Sequence, residues 1–420
     1  MKTTYLLLCL LGIGSVSGAG QTKQPQKIGD FIESTSYNEH RRNATRSLQY
    51  TPDGDDFVCI NGKNRFTRAL YGSHTAFRLE TSDRPVFAAY TKENTKHICF
   101  KLQTSGGTVA LDSTEHCESR YTAGRRSYSL SDPAFGGGSL SITTWALPDK
   151  EGAIWQFNAR NFKEFHPVLL ASISEIRNSK LNRNGDMGAD PADSFEAPLQ
   201  PQQLQSFPVQ IDGTLYILLE NQELRTLTTA EGENLFKKAE AARSETASRI
   251  RIETPDPYFN TLGGTLAMAA DGIWDGEVWL HGAIGWRMPL SGWRAAYTGD
   301  VLGWHDRART HFNAYAASQV TEVPNTFPHP AQDSALHLAR SVKKWGTPQY
   351  SNGYICRNPH RNNQMHHYDM NLCYIDELLW HFKWTGDLDY VRQMWPVITR
   401  HLTWEKLNYD PDNDGLYDAY

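Results

Sequence analysis

The chain changes character near residue 225, and this change constrains the fold more than any other feature. From Phe57 to about Glu220, turn residues divide the sequence into short runs rich in β-branched and aromatic residues, such as FVCI, PVFAAYT, SLSITTWAL and TLYILLE. From TTAEGENLFKKAEAARSETASRIRI onward, apolar residues recur at helical spacing. The pattern predicts a β-sandwich domain at 50–224, a charged linker helix at 225–256 and a helical domain at 257–420.

The N-terminus has the features of a secretory signal peptide. Lys2 precedes an apolar run from Tyr5 to Ile13, and Ser17-Gly18-Ala19 offers a small-residue cleavage site. The run is too short to span a bilayer. We therefore expect residues 1–19 to be removed and the mature protein to be exported, with the periplasm as the expected compartment and no membrane insertion.

Charge and cysteine usage exclude several classes of partner and site. The formal net charge of −5 argues against nucleic acid or an anionic membrane as the main partner. The cysteines are irregularly spaced, which predicts neither a disulfide framework nor a zinc motif. The 12 Trp and 19 Tyr suit surfaces that stack on sugars, although most such residues only pack in cores.

The helical region contains two stripes of inward-facing residues at helical spacing. One stripe consists of Tyr368, Leu372, Ile375, Leu379 and Phe382. The other consists of Val301, His305, Ala308, Phe312 and Tyr315. A further helix is predicted from Ala331 to Trp345, and Thr385-Gly386-Asp387 should join two antiparallel helices by a very short loop. Successive helical hairpins predict an α/α barrel in which the N-termini of the inner helices converge on a pocket.

Polar and aromatic residues crowd the segments that precede these helices. In IWDGEVWLHGAIGWRMPLSGWRAAYTGD tryptophans alternate with glycines, and SNGYICRNPHRNNQMHHYD is dense in Arg, His and Asn. Such a set suits a sugar that bears a carboxylate, because arginine binds carboxylates with a forked pair of donors. The alternative is an ordinary, hydrogen-bonded helix cap. The predicted substrate-binding residues are Trp279, Trp293, Arg294, Tyr297, Arg361, His367 and Asn371.

The segment DPDNDGLYDAY, residues 410–420, resembles the first half of a calcium-binding loop. Asp410, Asp412 and Asp414 occupy positions 1, 3 and 5, Gly415 follows, and Asp418 occupies position 9. Calcium is therefore the one candidate cofactor. A turn rich in Asp and Asn would explain the same pattern without a metal.

Three segments carry a resemblance to a known family: CINGKNRFTRALYGSHTAFRLETSDRPVFAAYT, GWRMPLSGWRAAYTGDVLGWHDRARTHF and HHYDMNLCYIDELLWHFKWTGDLDYVRQMWPVITRHLTWEKLNYDPDNDGLYDAY. They resemble exported Bacteroides proteins of the six-hairpin superfamily. The closest resemblance is to the L-rhamnose-α-1,4-D-glucuronate lyases, which act on plant arabinogalactan. The resemblance implies a β-sandwich followed by an (α/α)6 toroid. The chain offers only about five or six helices after residue 225, so we expect the first half of a toroid, truncated, with exposed apolar faces on its last hairpin.

The same resemblance implies β-elimination with a tyrosine as the base. Tyr368 is the first choice by position, and Tyr297 and Tyr354 are the alternatives. The chemistry also needs a group that neutralises the uronate carboxylate and an acid for the leaving oxygen. Arg294 and Arg361 are assigned to the carboxylate, and His305 or His366 to the acid.

Two further hypotheses stand beside the lyase. A six-hairpin glycoside hydrolase would use a pair of carboxylates, with Asp300, Asp306 and Asp369 as candidates. A non-catalytic glycan-binding protein would bind the same sugars without turnover. The oligomeric state is left open by the sequence.

Overall fold

The computed structural model of the chain describes residues 50–63, 66–72, 74–91, 95–162, 166–175, 205–283, 287–292, 295–321, 326–328, 348–350, 352–362, 369–410 and 412–417. The signal peptide predicted at 1–19 and the helix predicted at 331–345 lie outside these residues. Within them, the N-terminal half is mostly β-sheet and the C-terminal half is mostly helical.

Two antiparallel sheets form the N-terminal half. One has eight strands in the order β1-β2-β8-β9-β10-β11-β14-β15, and the other has the order β13-β12-β6-β5-β4-β3 with β7 paired to β6. The strands are β1 Thr51–Asp53, β2 Asp56–Ile60, β3 Phe66–Tyr71, β4 Arg78–Ser82, β5 Val86–Tyr90, β6 Thr95–Thr104, β7 Gly107–Ala110, β8 His116–Thr122, β9 Arg125–Ser131, β10 Ser139–Ala146, β11 Gly152–Arg160, β12 Val168–Glu175, β13 Gln205–Gln210, β14 Thr214–Glu220 and β15 Glu223–Leu227. The runs read as strands in the sequence are strands in the structure.

Aromatic side chains from both sheets form the core of this half. The ring of Trp155 on β11 lies 5.4 Å from that of Phe87 on β5 and 5.8 Å from that of Phe100 on β6, measured between centroids. Edge-to-face packing of this kind adds to the hydrophobic gain of burial. The two sheets therefore cover each other's apolar faces, as in a sandwich.

The predicted linker helix is present as α1, Thr229–Ala247. Thr228 and Glu231 form a reciprocal capping box at its start, which satisfies two free backbone N–H groups. The helix lies on the outer face of the eight-stranded sheet, where Phe236 packs 4.1 Å from the ring of Trp145. Close approach requires a glycine here, because a Cβ on Gly232 would stand 2.2 Å from Tyr216.

The C-terminal half contains six further helices among the described residues. They are α2 Pro257–Asn260, α3 Leu262–Gly272, α4 Tyr297–Val301, α5 His305–Ala316, α6 Asp369–Thr385 and α7 Leu388–Tyr409, with a small hairpin of β16 Thr326–Pro328 and β17 Pro348–Tyr350. The short connection between α6 and α7 is confirmed: Gly386 has a left-handed φ of +62°, and Asp387 caps α7 through the N–H groups of Asp389 and Tyr390. None of the described helices is both long and apolar enough to cross a bilayer.

The two halves are joined by arginine side chains that meet the end of α3. Arg78 of β4 is fully buried and donates to the carbonyl of Gly272, the last residue of α3. Arg287 donates to the same carbonyl at 3.3 Å and to the carbonyl of His74 at 3.1 Å. Cations at a helix C-terminus satisfy its free carbonyls and complement its dipole. This contact fixes where α3 ends relative to the sandwich.

The inward face predicted for α6 is confirmed in part. Ile375 is buried and Phe382 packs against the helical core, but Leu372 and Leu379 are 43% and 39% exposed. Asn371 and His381, outside the predicted stripe, are fully buried. The helix is apolar on more than one side, so hydrophobic spacing alone could not identify the side that packs.

In the other predicted stripe, Ala308, Phe312 and Tyr315 are buried as predicted, but Val301 is 61% exposed. The stripe fails there because α4 ends at Val301 and Gly303, with φ +74°, turns the chain before α5.

Candidate functional site

Several predicted site residues lie outside the described part of the chain. They are Tyr368, His366, His367, Trp293, Arg294 and Asp418. The assignments of Tyr368 as base and of Arg294 as a carboxylate ligand therefore stay predictions. The side chain of Asp369, a carboxylate candidate for hydrolysis, is not described either, although its backbone begins α6.

His305 does not share a site with the N-terminus of α6. Its Nδ1 lies 2.7 Å from Asp300, and the same carboxylate contacts Nδ1 of His381 at 2.9 Å. His381 is twelve residues after Asp369, which corresponds to about 18 Å along a helix. A general acid and a base must both reach one sugar residue. His305 therefore lies far from the start of α6, and its assignment as the acid stays a prediction because Tyr368 lies outside the described residues.

Two predicted substrate contacts have structural roles instead. Trp279 is 1% exposed and packs against Trp274 and His311, at 4.7 and 5.7 Å between ring centroids. Its ring has no free face for a sugar. Asn371 is fully buried, accepts from the N–H of Ile355 at 2.6 Å and donates to the carbonyl of the same residue at 3.0 Å. Both predictions took residue type as evidence of exposure, and packing decided otherwise.

The alternative base residues are not suited to proton abstraction in this structure. Burial and the neighbouring carboxylate of Asp376 raise the pKa of Tyr297, whose hydroxyl donates to that carboxylate. Tyr354 is fully buried in an apolar cluster with Val320 and Trp404. A base needs a lowered pKa and access to substrate. Among the three tyrosines considered, Tyr368 alone stays open as the base.

A polar group lies where α5 ends and α6 begins, and we call this end of the helices the mouth. Asn371 near the start of α6 holds Ile355, and the N–H of the next residue, Cys356, donates to the hydroxyl of Ser318 just after α5. The two helix ends are therefore adjacent. Ile355 and Cys356, which contact the two helix ends, are followed in the chain by Arg357 and His360.

His360 and Glu277 form an exposed ion pair at the mouth. Nε2 of His360 lies 2.7 Å from Oε1 of Glu277, and the side chains are 54% and 49% exposed. The backbone N–H of His360 donates to the carbonyl of Ala314 in α5, which holds the residue in a left-handed conformation with φ +58°. A positive φ costs a non-glycine residue free energy, and such strain is often found at functional sites. Arg361, predicted to bind a carboxylate, follows directly and is exposed.

Buried polar side chains lie beneath this pair. Tyr315 is fully buried, and its pKa is raised by burial and by the negative charges of Asp275, Glu377 and Glu277, against which Arg357 acts. One turn earlier, His311 accepts the N–H of Trp279 at Nδ1, and burial lowers its pKa to about 3. The mouth thus places cations and carboxylates over a neutral imidazole and a neutral phenol.

Sequence reasoning noted His360, Glu277 and Arg357 only as members of polar segments. Glu277 is positioned by a tight turn in which Asp275 accepts the N–H groups of Glu277 and Val278 at 3.0 and 2.7 Å. The D-G-E order after a helix was the available signal. Their meeting depends on two segments more than eighty residues apart, which no local pattern reports.

The acidic loop has the predicted geometry in part. Single carboxylate oxygens of Asp410, Asp412 and Asp414 all lie within 4.8 Å of one another. Asp414 also accepts the N–H of Leu416 at 2.8 Å, as in an ordinary Asx turn. Calcium prefers six to eight oxygen ligands, so these three residues would supply only part of its shell. The arrangement fits calcium and fits a turn.

A cavity of about 190 Å³ lies between the sandwich, α1 and the helices. Its charged walls are largely paired: Arg307 contacts Asp271 at 2.7 Å, and Arg243 contacts Glu240 at 2.6 Å. Arg307 and Arg249 also stack on Trp304, at 4.3 and 5.1 Å from the ring centroid. The cavity therefore belongs to the contact between the halves, and the mouth is the better candidate site.

One family profile matches the chain. It is described as a domain of unknown function (DUF4450) and covers residues 95–249, from β6 to just beyond the end of α1. The matched region lies in the sandwich and linker helix, and does not include the mouth. Among curated proteins, none matches this chain.

Proposed function

We propose that the protein is an exported polysaccharide lyase that cleaves a rhamnose–glucuronate linkage in plant arabinogalactan by β-elimination, with a helical domain built as part of an α/α toroid. The substrate class and reaction rest on the family resemblance of the sequence. The observation that carries the site is the group of Arg357, His360 and Glu277 at the mouth, directly beside the N-terminus of α6.

The charges at the mouth suit a uronate. β-Elimination needs a cation near the carboxylate, because neutralising that charge acidifies the proton at C5. Arg357 and the exposed Arg361 come from the same segment and offer forked donors for this role. His360, held by Glu277, is a candidate to protonate the leaving oxygen in place of His305.

Tyr368 is the proposed base, since it immediately precedes Asp369 at the start of α6. A tyrosine with an ordinary pKa near 10 is a weak base at neutral pH. Nearby cations would lower that pKa and increase the phenolate fraction. Arg357 and Arg361 are the cations that the sequence supplies nearest to this helix start.

A glycoside hydrolase is the second candidate function. Asp275, Glu277 and Glu377 lie close enough to Tyr315 to raise its pKa, so carboxylates are available near the mouth. Hydrolysis requires a carboxylic acid and a carboxylate on opposite sides of the bond. Of the carboxylates first considered, Asp300 is buried beside His381, and Asp306 lies in the first turn of α5, so neither belongs to the mouth.

The test is incubation of the protein with rhamnose-capped arabinogalactan, following free rhamnose and the ultraviolet absorbance of an unsaturated uronate. Both signals should rise together if the reaction is elimination. Rhamnose without absorbance would instead indicate hydrolysis, and binding without either would indicate a glycan-binding protein.

Variants separate the roles within the lyase. Tyr368→Phe should abolish turnover and preserve substrate binding, whereas Arg357→Lys should mainly raise KM because the forked contact is lost. His360→Gln should lower kcat. Trp279→Phe is the matched control: as a core substitution it should alter stability rather than the ratio of elimination to binding. Full activity in Tyr368→Phe would refute the assignment of the base.

Calcium remains a proposal for the acidic loop. If Asp410, Asp412 and Asp414 bind calcium, the ion would hold the end of α7 and raise Tm. Asp412→Asn should then abolish the calcium-dependent shift without changing Tm in a chelator. An equal shift in the variant would identify the loop as a plain turn.

A further inference from the structure

Asp300, His305 and His381 bring three potential metal ligands together from three helices. Asp300 is in α4, His305 is the first residue of α5, and His381 is near the end of α6. One nitrogen of each imidazole and one oxygen of the carboxylate all lie within 4.8 Å of one another. The cluster is at the opposite end of α5 and α6 from the mouth, so the proposed reaction does not use it.

Both imidazoles approach the carboxylate at hydrogen-bond distance. Both Nδ1 atoms approach Oδ1 of Asp300, at 2.7 Å for His305 and 2.9 Å for His381. Nδ1 of His381 is also 3.0 Å from Oδ2, so it faces the middle of the carboxylate rather than one lone pair. All three potential ligand atoms therefore point into one small volume.

The tautomer of His381 can be argued from its surroundings. The ring is fully buried, and its Nε2 has no hydrogen-bond partner among the described residues. Its neighbours include the rings of Phe312 and Tyr390, at 5.4 and 5.5 Å between centroids. Nδ1 lies at hydrogen-bond distance from the Asp300 carboxylate, so in the absence of a metal it carries a proton and donates to that carboxylate.

A metal ion would displace the proton on Nδ1 and bind the lone pair that is left there, with the remaining ring proton on Nε2. His305 is the third potential ligand. Its side chain is 45% exposed, so one side of the cluster is accessible to solvent. A metal ion can enter from that side.

We propose that Asp300, His305 and His381 form a binding site for a divalent transition metal, with zinc as the best fit. Two imidazoles and one carboxylate are ligands that zinc accepts at about 2.0–2.2 Å, with a water molecule in the fourth position. The present contacts are of hydrogen-bond length, so Asp300 and both imidazoles would move slightly apart to admit the ion. The metal would link α4, α5 and α6 and so has a structural role.

Binding is tested on the untagged full chain after treatment with a chelator. Titration with Co²⁺ should give visible d–d absorption that saturates at one ion per chain, and Zn²⁺ should displace it. Zn²⁺ should also raise Tm. Absence of stoichiometric binding would overturn the proposal.

Variants locate the ion. The side chain of His305 is half-exposed, so the His305→Gln variant should keep its fold. This variant should raise the Kd for Zn²⁺ by at least about tenfold. His360→Gln is the matched control, because His360 also pairs with a carboxylate at 2.7 Å and is similarly exposed. It should leave the Kd unchanged, as should Asp412→Asn in the acidic loop. Loss of binding in either control, or unchanged binding in His305→Gln, would contradict the proposed site.

Discussion

The two halves of the molecule bury their apolar residues to different extents. In the described part of the sandwich, Ile60 is the one large hydrophobic residue that is exposed. The described part of the helical half exposes many more large hydrophobic residues. They are Phe259, Leu266, Val301, Leu372, Leu379, Trp380, Trp384, Leu388, Trp395, Leu402, Leu407, Leu416 and Tyr417. Most of them are on α6, α7 and the loop that follows.

The difference follows from how each kind of element is covered. Two sheets that face each other bury one side of every strand, and alternation leaves polar residues outside. A helix hairpin buries only the stripe that meets its neighbours. Since α6 and α7 are apolar on further sides, the helical half presents surface of the kind that other proteins or chain segments cover.

Truncating one tryptophan in each half should reveal the contrast most strongly. Trp155→Ala removes a fully buried ring that packs on Phe87 and Phe100, and should lower the free energy of unfolding by about 3–5 kcal/mol. Trp384→Ala removes a ring that is 53% exposed and should lower the free energy of unfolding by only about 1–2 kcal/mol. Urea denaturation of both variants gives the comparison. A large loss in Trp384→Ala would mean that its surface is covered in solution.

The contact between the halves should be nearly as sensitive. Arg78→Met removes a buried donor to Gly272 and should cost about 2–3 kcal/mol, since hydrogen bonds to charged groups are the stronger ones. Arg287→Met, a partly exposed donor to the same carbonyl, is the control and should cost less. Separate unfolding transitions in Arg78→Met would show that this contact couples the halves. An unchanged single transition would show that other contacts suffice.

Acid should destabilise the helical half through His311. Burial lowers its folded pKa to about 3, below the ordinary 6.5, so the unfolded chain takes up a proton that the folded chain does not. Stability should therefore fall as pH decreases from 6.5 towards 3, by up to about 1.4 kcal/mol per unit. His311→Gln should reduce this slope. The slopes are compared by urea denaturation at several pH values, and identical slopes would contradict the assignment.

Glu80 should give the opposite dependence in the sandwich. Burial raises its folded pKa to about 7, above the ordinary 4.5, although Arg78 acts against the shift. The stability contribution of the neutral acid is present below 4.5 and is lost as pH rises to about 7, by less than about 1.4 kcal/mol per unit. Glu80→Gln should therefore gain stability relative to the native chain over this range. If the difference in stability between Glu80→Gln and the native chain were constant from pH 4.5 to 7, the raised pKa of Glu80 would be contradicted.

The smallest effect should come from the capping box of the linker helix. Thr228→Ala removes the side chain that accepts the N–H of Glu231 and should cost about 1 kcal/mol. Thr229→Ala, the exposed next residue, is the control and should be nearly neutral. Thermal unfolding of both variants measures the difference. Equal effects would mean that the cap adds nothing beyond helix propensity.

Local patterns were sufficient for much of the architecture. The short β-rich runs and the Gly386-Asp387 turn were predicted because each depends on residues only a few positions apart. The site was less predictable. Trp279 and Asn371 have the residue types of sugar-binding groups, yet the structure buries both.

The sequence by itself therefore determined the order of β and helical regions, their caps and their turns, because hydrophobic period and capping are local properties. Only the tertiary structure decided which side of α6 faces the core, that His305 lies with Asp300 and His381 rather than at the mouth, and that His360 meets Glu277. These outcomes depend on packing between segments distant in sequence, and an element that is apolar on several sides carries no local record of its neighbours.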